Sequence, residues 1–522
     1  MDSSEDHITP SNEDQRLLLI SIFIIAGCSL IYELLISSLS TYLLGSGVVH
    51  YSITIGLFLF FMGVGSWLAQ HIRSDLLGHF VLIEILLGVV GGLSAALLYM
   101  AYAWTAYYYP AMLIVIAMIS ILVGMEIPLL TRVIERGRGI RQGISDVLAT
   151  DYVGALLASL LFPFILLPYL GHLLTAFVIG LVNIAVALLV AWHFHARLAQ
   201  GRKLLWGSCA ALLLSLIGSY SASAFSGLLE RALYQDPVVF SQQSKHQKIV
   251  MTRRGSDFLL YLNGSLQFSS LDEYRYHEPL VHLPASHSRT LERALIIGGG
   301  DGLAARELLR YPSLQQLILV DLDPAVTTLA RELSALKTLN ANAMQDKRLV
   351  VQHGDAWKWL EQDGDLFDVI IIDLPDPDTP ELARLYTREF YHKVERRLSQ
   401  GGVMITQASS PWLTRQAFWC INATLQDVFD YVQPAYSQVP SFGLWGFVVA
   451  SGMPLQKQRQ IPGAARYITE QNWQQALIQP ADLPVIKLPV NRLQTLPLMQ
   501  FYRAGYEGLQ QGIPELQQQG DN

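Results

Sequence analysis

The sequence predicts a two-part molecule. An N-terminal α-helical transmembrane bundle is followed by an α/β Rossmann-like (methyltransferase-type) domain with a small antiparallel β domain in front of it. Three observations carry that expectation. Before about residue 225 the chain is a succession of long apolar runs; after it, charge, His and Gln return at a soluble protein's density. A stretch of short alternating segments follows, with Asn263-Gly264 as its strongest hairpin cue. Then Arg293 to Asp301 reads Arg-Ala-Leu-Ile-Ile-Gly-Gly-Gly-Asp and opens an alternating strand–helix series. The expected organisation is a polar tail over 1–16, a transmembrane domain over 17–225 and a small β domain over 226–290. A Rossmann-like domain over 291–455 and a C-terminal extension over 456–522, packed on that domain, complete it.

Length and composition set the bounds. A chain of 522 residues is expected to hold more than one domain. A net charge of −7 with no basic stripe gives no reason to expect a nucleic-acid partner. Cys28, Cys209 and Cys420 are far apart and form no metal-ligand or redox pattern.

In the first half, runs of roughly 18 or more apolar residues read as spanning helices. About seven occur, near 17–42, 51–70, 80–102, 110–130, 147–168, 172–194 and 204–222. The first follows an acidic, polar tail and lacks a small-residue cleavage site, so a removable signal peptide is not expected. Gly56, Gly63 and Gly65, and Gly88, Gly91 and Gly92, have the spacing that suits close helix packing in lipid. Glu33, Glu84, Glu126 and Asp151 sit inside the apolar runs, where a carboxylate is costly unless protonated, paired or wet. They read either as a cation path or polyamine site, or as interhelical hydrogen-bonding groups. Basic residues gather after the second, fourth and sixth spans, which places those loops in the cytoplasm and, with seven spans, the C-terminal half outside. The chemistry argued below favours a cytoplasmic catalytic domain on an inner (cell) membrane, so the two lines of reasoning conflict.

In the second half, strands are expected near 237–241, 248–252, 258–262 and 265–268, then a polar helix start at Asp272 to Glu278. The parallel-sheet strands are expected at 294–297, 316–321, 348–352, 367–372, 402–407 and 446–451. The glycines Gly298 to Gly300 let a ligand approach the backbone, and Asp321, about 20 residues on, stands at the ribose-hydroxyl position of a nucleotide-binding unit. Ligands of such sheets bind beyond the carboxyl ends of the strands. Asp301, Asp321, Asp355, Asp373 and Asp376 all follow strand ends, and Gln407 ends the fifth strand. Five acids around one crevice call for a cationic, hydroxyl-rich ligand. Asp323-Pro324 reads as a helix start, and Trp357 and Trp359 as packing. After about residue 457, Trp473, Leu477, Leu493, Phe501 and Tyr502 are the apolar anchors of the extension, and Leu516 to Asn522 are expected to fray.

Residues 233–451 resemble the spermidine synthase (polyamine aminopropyltransferase) family. The motifs are Tyr234-Gln235-Asp236, Asp272-Glu273-Tyr274 to Glu278, Gly298-Gly299-Gly300-Asp301-Gly302, Asp321-Leu322-Asp323, Gly354-Asp355-Ala356 and Asp373-Leu374-Pro375-Asp376-Pro377. The apolar first half resembles that of multi-pass bacterial members. The resemblance implies transfer of the aminopropyl group of decarboxylated S-adenosylmethionine to a diamine, putrescine, giving spermidine and methylthioadenosine. It implies Asp373 as the base, with Asp376, Tyr276 and Gln407 at the diamine. Gln235, Gly298, Gly300, Asp301, Asp321, Asp355, Ala356 and His277 are implied on the donor side. No metal or cofactor is called for, because the sulfonium already activates the carbon beside it and the nucleoside is a co-substrate. A homodimer is the family's usual form.

This chain departs from the family pattern at three points. Leu374-Pro375 stand where two small serines are usual, Phe442 stands where a tyrosine is usual at the diamine end, and Asp321 replaces a commoner Glu. The rival readings are an S-adenosylmethionine-dependent methyltransferase, and a polyamine sensor or transporter with a regulatory synthase-like domain.

Overall fold

A computed structural model describes residues 12–44, 47–105, 107–138, 140–234 and 236–510. Most of the polar tail, Gln235 and the end expected to fray at Leu516 to Asn522 lie outside the described residues. The chain divides into two compact units, Met1–Val238 and Val239–Asn522.

The first unit is a helical bundle: α1 (Asn12–Leu44), α2 (Gly47–Ala69), α3 (Leu76–Trp104), α4 (Tyr108–Arg138), α5 (Ile140–Leu161), α6 (Leu167–His193) and α7 (Gly201–Leu233). Six helical stretches among the described residues are long and apolar enough to cross a membrane, against about seven runs in the sequence. The difference lies in 144–193, one 50-residue stretch that includes α5, a π-helical turn at Phe162–Leu166 and α6. Gly171 breaks it with a φ of +68°. Neighbour contacts give the direction on either side of that break. Phe23 and Ala26 of α1 meet Gly154, and Gly27 meets Ala158, so α5 runs with α1. Asp14 pairs with His193 at 2.7 Å and Ser38 with His172 at 3.0 Å, so α6 runs against α1. The stretch therefore doubles back on itself.

Glycines form the seams. A Cβ on Gly65 would lie 2.1 Å from the Ile121 carbonyl oxygen, and one on Gly124 2.1 Å from that of Met62, so α2 and α4 touch backbone to backbone. Gly88 and Gly180 do the same for α3 and α6. Gly56 and Gly63, expected in this role, have nothing within 4 Å. Glu84 is fully buried and accepts a hydrogen bond from Asn183 Nδ2 at 3.0 Å, which ties α3 to α6. Glu126 is also buried; Glu33 and Asp151 are half-buried.

The second unit opens with a four-stranded meander, β1 (Val238–Gln243), β2 (Lys248–Arg254), β3 (Asp257–Leu262) and β4 (Ser265–Ser269). Asn263 and Gly264 both have positive φ, 49° and 83°, as a two-residue hairpin requires. The polar helix start becomes α8 (Tyr274–His287).

Next come β5 (Arg293–Gly298), α9 (Leu303–Leu308), β6 (Gln316–Asp321), α10 (Pro324–Glu332) and α11 (Ser334–Leu339). They are followed by β7 (Leu349–His353), α12 (Ala356–Glu361), β8 (Phe367–Asp373), α13 (Pro380–Ala383) and α14 (Arg388–Glu395). The sheet is completed by β9 (Leu398–Gln407), β10 (Tyr431–Val439) and β11 (Gly443–Ser451), with α15 (Arg415–Gln426) between β9 and β10. A 3-10 turn at Trp473–Leu477 and α16 (Pro497–Gln510) belong to the extension.

The seven strands lie in the order β10-β11-β9-β8-β5-β6-β7, parallel from β9 to β7 and antiparallel at β10 and β11. Successive side chains alternate between two cores. Leu295, Ile297, Ile318, Val320, Ile370 and Ile372 enter one; Ala294, Ile296, Leu317, Leu319, Val369 and Ile371 enter the other. Both faces are thus covered, which is why these strands are unbroken apolar runs. The edge strand β10 was not anticipated. Its Pro434 and polar Gln433 and Gln438 weaken the strand pattern, and proline is tolerated because β10 lies at the sheet's edge.

Candidate active site

Connections leave the sheet in opposite directions on the two sides of the β5/β8 pair, and a crevice opens at the carboxyl ends of that pair. Gly298 is in register with Asp373 across it. Gly298 has φ +82°, and a Cβ there would lie 2.1 Å from the Asp373 carbonyl oxygen, so only glycine fits. Gly299 N–H donates to that oxygen at 3.1 Å. A Cβ on Gly300 would lie 2.5 Å from Asp321 Oδ2, so the absent side chain makes room for that carboxylate.

A cleft of about 480 Å³ lies over this turn. Tyr276, His277, Gly298, Gly300, Asp301, Asp321, Asp355, Ala356, Asp373, Asp376 and Gln407 all line it, with Phe442, Trp445 and Tyr502. Of the candidate site residues, Gln235 alone lies outside the described residues.

Asp373, at the end of β8, accepts a hydrogen bond from the Tyr276 hydroxyl at 2.7 Å. Burial raises its pKa above the ordinary carboxylate range, against the pull of His277 and Tyr276. Asp301 accepts the Leu303 N–H at 2.8 Å at the start of α9. Burial pushes it up to about 6, His277 opposing and Asp373 assisting. Asp376 accepts from Gln407 Nε2 at 3.3 Å and from the Tyr502 hydroxyl at 3.0 Å, and burial pushes it up to about 6. Asp321 ends β6 and accepts the Asp323 N–H at 2.8 Å; it too is raised by burial.

Asp355 caps α12 by accepting the Trp357 N–H at 2.8 Å, and its second oxygen pairs with Arg384. Ala356 is the first residue of that helix. The Gln407 side chain is bound on every side: Nε2 donates to the Leu374 carbonyl at 2.9 Å and to Tyr386 Oη at 2.6 Å, and Oε1 accepts the Ser409 N–H at 2.8 Å. It therefore fixes the loop after β8.

His277 hydrogen-bonds through Nδ1 to the Glu273 carbonyl oxygen at 2.8 Å and carboxylate at 3.0 Å. Burial would lower its pKa, but Glu273, Asp301 and Asp373 outweigh that and raise it to about 9, so the ring is a buried cation at neutral pH. Glu273 is held by Arg306 through two parallel bonds, 2.8 Å and 2.9 Å. Burial would raise the Glu273 carboxyl, but His277 and Arg306 hold it down at about 2. Asp323 caps α10 through the Ala325 N–H and also accepts from Ser244 Oγ at 2.6 Å, joining the meander to the sheet. Trp357 stacks on Phe390 and Trp359 donates to Gln352, both as packing groups.

Sequence reasoning missed the Glu273–Arg306 pair, Tyr386, Arg384 and the reach of Tyr502 into the cleft. Glu273 lies within a sequence motif and Tyr502 among the apolar anchors of the extension, but nothing in the spacing names partners so far apart in the chain.

A family profile described as spermine/spermidine synthase domain matches residues 273–460. A polyamine aminopropyltransferase of Leptospira interrogans is 40% identical over 488 residues, covering 94% of this chain and 98% of that protein. The polyamine aminopropyltransferase 1 of Ralstonia nicotianae is 39% identical over 514 residues, 96% of this chain and 97% of its own. The polyamine aminopropyltransferase of Mycobacterium tuberculosis is 37% identical over 510 residues, 94% and 97% respectively. A crystal structure of spermidine synthase with a transition-state analogue aligns with 47% of this chain and 85% of that one, at 26% identity and a TM-score of 0.44.

Proposed function

The chain belongs to the polyamine aminopropyltransferase family and is an enzyme of that class, and from that premise we propose that its acceptor is putrescine and its donor decarboxylated S-adenosylmethionine. The observation that carries this reading is the convergence of Asp301, Asp373 and Asp376 on one cleft, half-buried and with Tyr276 hydrogen-bonded to Asp373.

The chemistry follows from charge. An alkylammonium of pKa about 10.4 is protonated at neutral pH and has no lone pair to offer. Asp373 takes that proton, the freed nitrogen attacks the carbon next to sulfur, and the C–S bond breaks to release neutral methylthioadenosine. Tyr276 holds the Asp373 carboxylate in the orientation that receives the proton. Asp376 binds the far ammonium of the diamine and so sets the attacking end in line. On the donor, Asp321 suits the ribose hydroxyls and Asp355 the adenine side. Asp301 attracts the aminopropyl ammonium and would repel the carboxylate that ordinary S-adenosylmethionine carries.

One assay tests this directly. Purified protein is incubated with either form of the donor and with diamines of three to five carbons, and products are identified by mass spectrometry. Spermidine and methylthioadenosine should form with the decarboxylated donor and the four-carbon diamine, at least tenfold faster than with the other pairs. A preference for another amine would overturn the putrescine reading.

We further propose a multi-pass protein of the inner (cell) membrane with its catalytic unit facing the cytoplasm. Exposed apolar side chains around the bundle support the bilayer: Trp206 is 77% exposed and Tyr220 91%. A nucleoside co-substrate made in the cytoplasm supports the side. Trypsin added to intact spheroplasts should leave the C-terminal unit uncut, and the same protease should cut it in inverted vesicles. Cleavage in intact spheroplasts would place it outside.

A further inference from the structure

Residues beyond the family domain complete the cleft. The matched domain ends at residue 460, yet Tyr502 of α16 lines the same cleft as Asp373 and Asp376. Its hydroxyl donates to Asp376 Oδ2 at 3.0 Å while Gln407 donates to Oδ1 at 3.3 Å, so each oxygen of that carboxylate is aimed by a different element. Phe442, across the cleft, carries no hydroxyl and packs on Trp445 and Tyr276 with ring centroids at 5.1 Å and 6.3 Å.

The extension holds this tyrosine firmly. Leu498 is fully buried in the core behind the sheet. Arg503 donates to the Asp378 carbonyl oxygen at 2.7 Å. A Cβ on Gly505 would lie 2.6 Å from the Leu413 carbonyl oxygen, so α16 lies against the chain just before α15. A helix seated at three points presents its side chain at a fixed depth.

We infer that Tyr502 is a specificity-determining residue for the acceptor: it aims the Asp376 carboxylate at the distal ammonium and closes the end of the cleft, so limiting acceptor length. This rests on the reading of Asp376 as the diamine anchor. A hydrogen bond to a charged group that also sets its orientation acts on acceptor binding and not on the donor, whose groups meet the other end of the cleft.

The test uses purified full-length protein and its Tyr502→Phe, Tyr502→Ala and Gln500→Ala variants, with four- and five-carbon diamines and the decarboxylated donor. Tyr502→Phe should raise the KM for the four-carbon diamine about tenfold with donor KM within twofold of wild type. Tyr502→Ala should raise the ratio of kcat/KM for the five-carbon over the four-carbon diamine by about tenfold. Gln500→Ala, exposed on the same helix and outside the cleft lining, should change neither. An unchanged acceptor KM in Tyr502→Phe, or donor and acceptor KM rising together, overturns the inference; the conservative variant decides this even where Tyr502→Ala fails to fold. Wild-type enzyme that uses no diamine would instead overturn the acceptor reading of the previous section, and this inference with it.

Discussion

Asp373→Asn should lower kcat by about 10² to 10⁴-fold, the usual range for a lost general base, while the donor's dissociation constant stays within a few-fold. The amide keeps the shape and can still accept the Tyr276 hydrogen bond, but it cannot take a proton from an ammonium. The pH profile gives a second check. The base works ionised, so wild-type kcat/KM should fall as pH drops through the free-enzyme value of Asp373. Burial sets that value above the ordinary carboxylate range. Activity should therefore fail on the acid side at a higher pH than an exposed aspartate would dictate, as an apparent value for the coupled carboxylates together. Near-normal turnover in the Asn variant, measured as methylthioadenosine release, would remove Asp373 as the base.

Arg306→Ala should destabilise the catalytic unit by about 3–5 kcal/mol, the cost of leaving one partner of a buried ion pair alone. Glu273 is 1% exposed; both its oxygens accept from Arg306, and only Oε2 has a second partner, His277. The guanidinium also donates to the Leu339 carbonyl at 2.8 Å and to Glu307 at 2.7 Å, so one deletion opens three contacts. Amide hydrogen exchange of detergent-solubilised protein should show lost protection in α8 and α9. Adding Glu273→Gln to the Arg306→Ala variant should recover part of the loss, because a neutral amide is cheaper to bury than an unpaired charge. A single variant as protected as wild type would show that the pair contributes nothing net.

Much of this molecule was legible because its signals are local. The apolar runs, the Asn263-Gly264 turn and the strand ending at Gly298 each depend on neighbours in sequence, and the acids that line the cleft follow directly from strand ends. What was not legible joins distant segments. Arg306 meets Glu273 across 33 positions, and Tyr502 meets Asp376 across 126. No periodicity encodes such pairs, since tertiary packing alone decides which surface each side chain faces. The 144–193 stretch was legible as two runs, 147–168 and 172–194, and the backbone turns round between them at Gly171.

Pro434 in β10 and the turn at 473–477 laid beside that strand finish the seven-stranded sheet on one side. A proline offers no N–H to an incoming strand, and the Leu477 carbonyl is already occupied by Gln433 at 3.2 Å. An incoming strand thus meets an interrupted ladder at this margin, shielded in part by the same C-terminal extension that supplies a wall of the cleft.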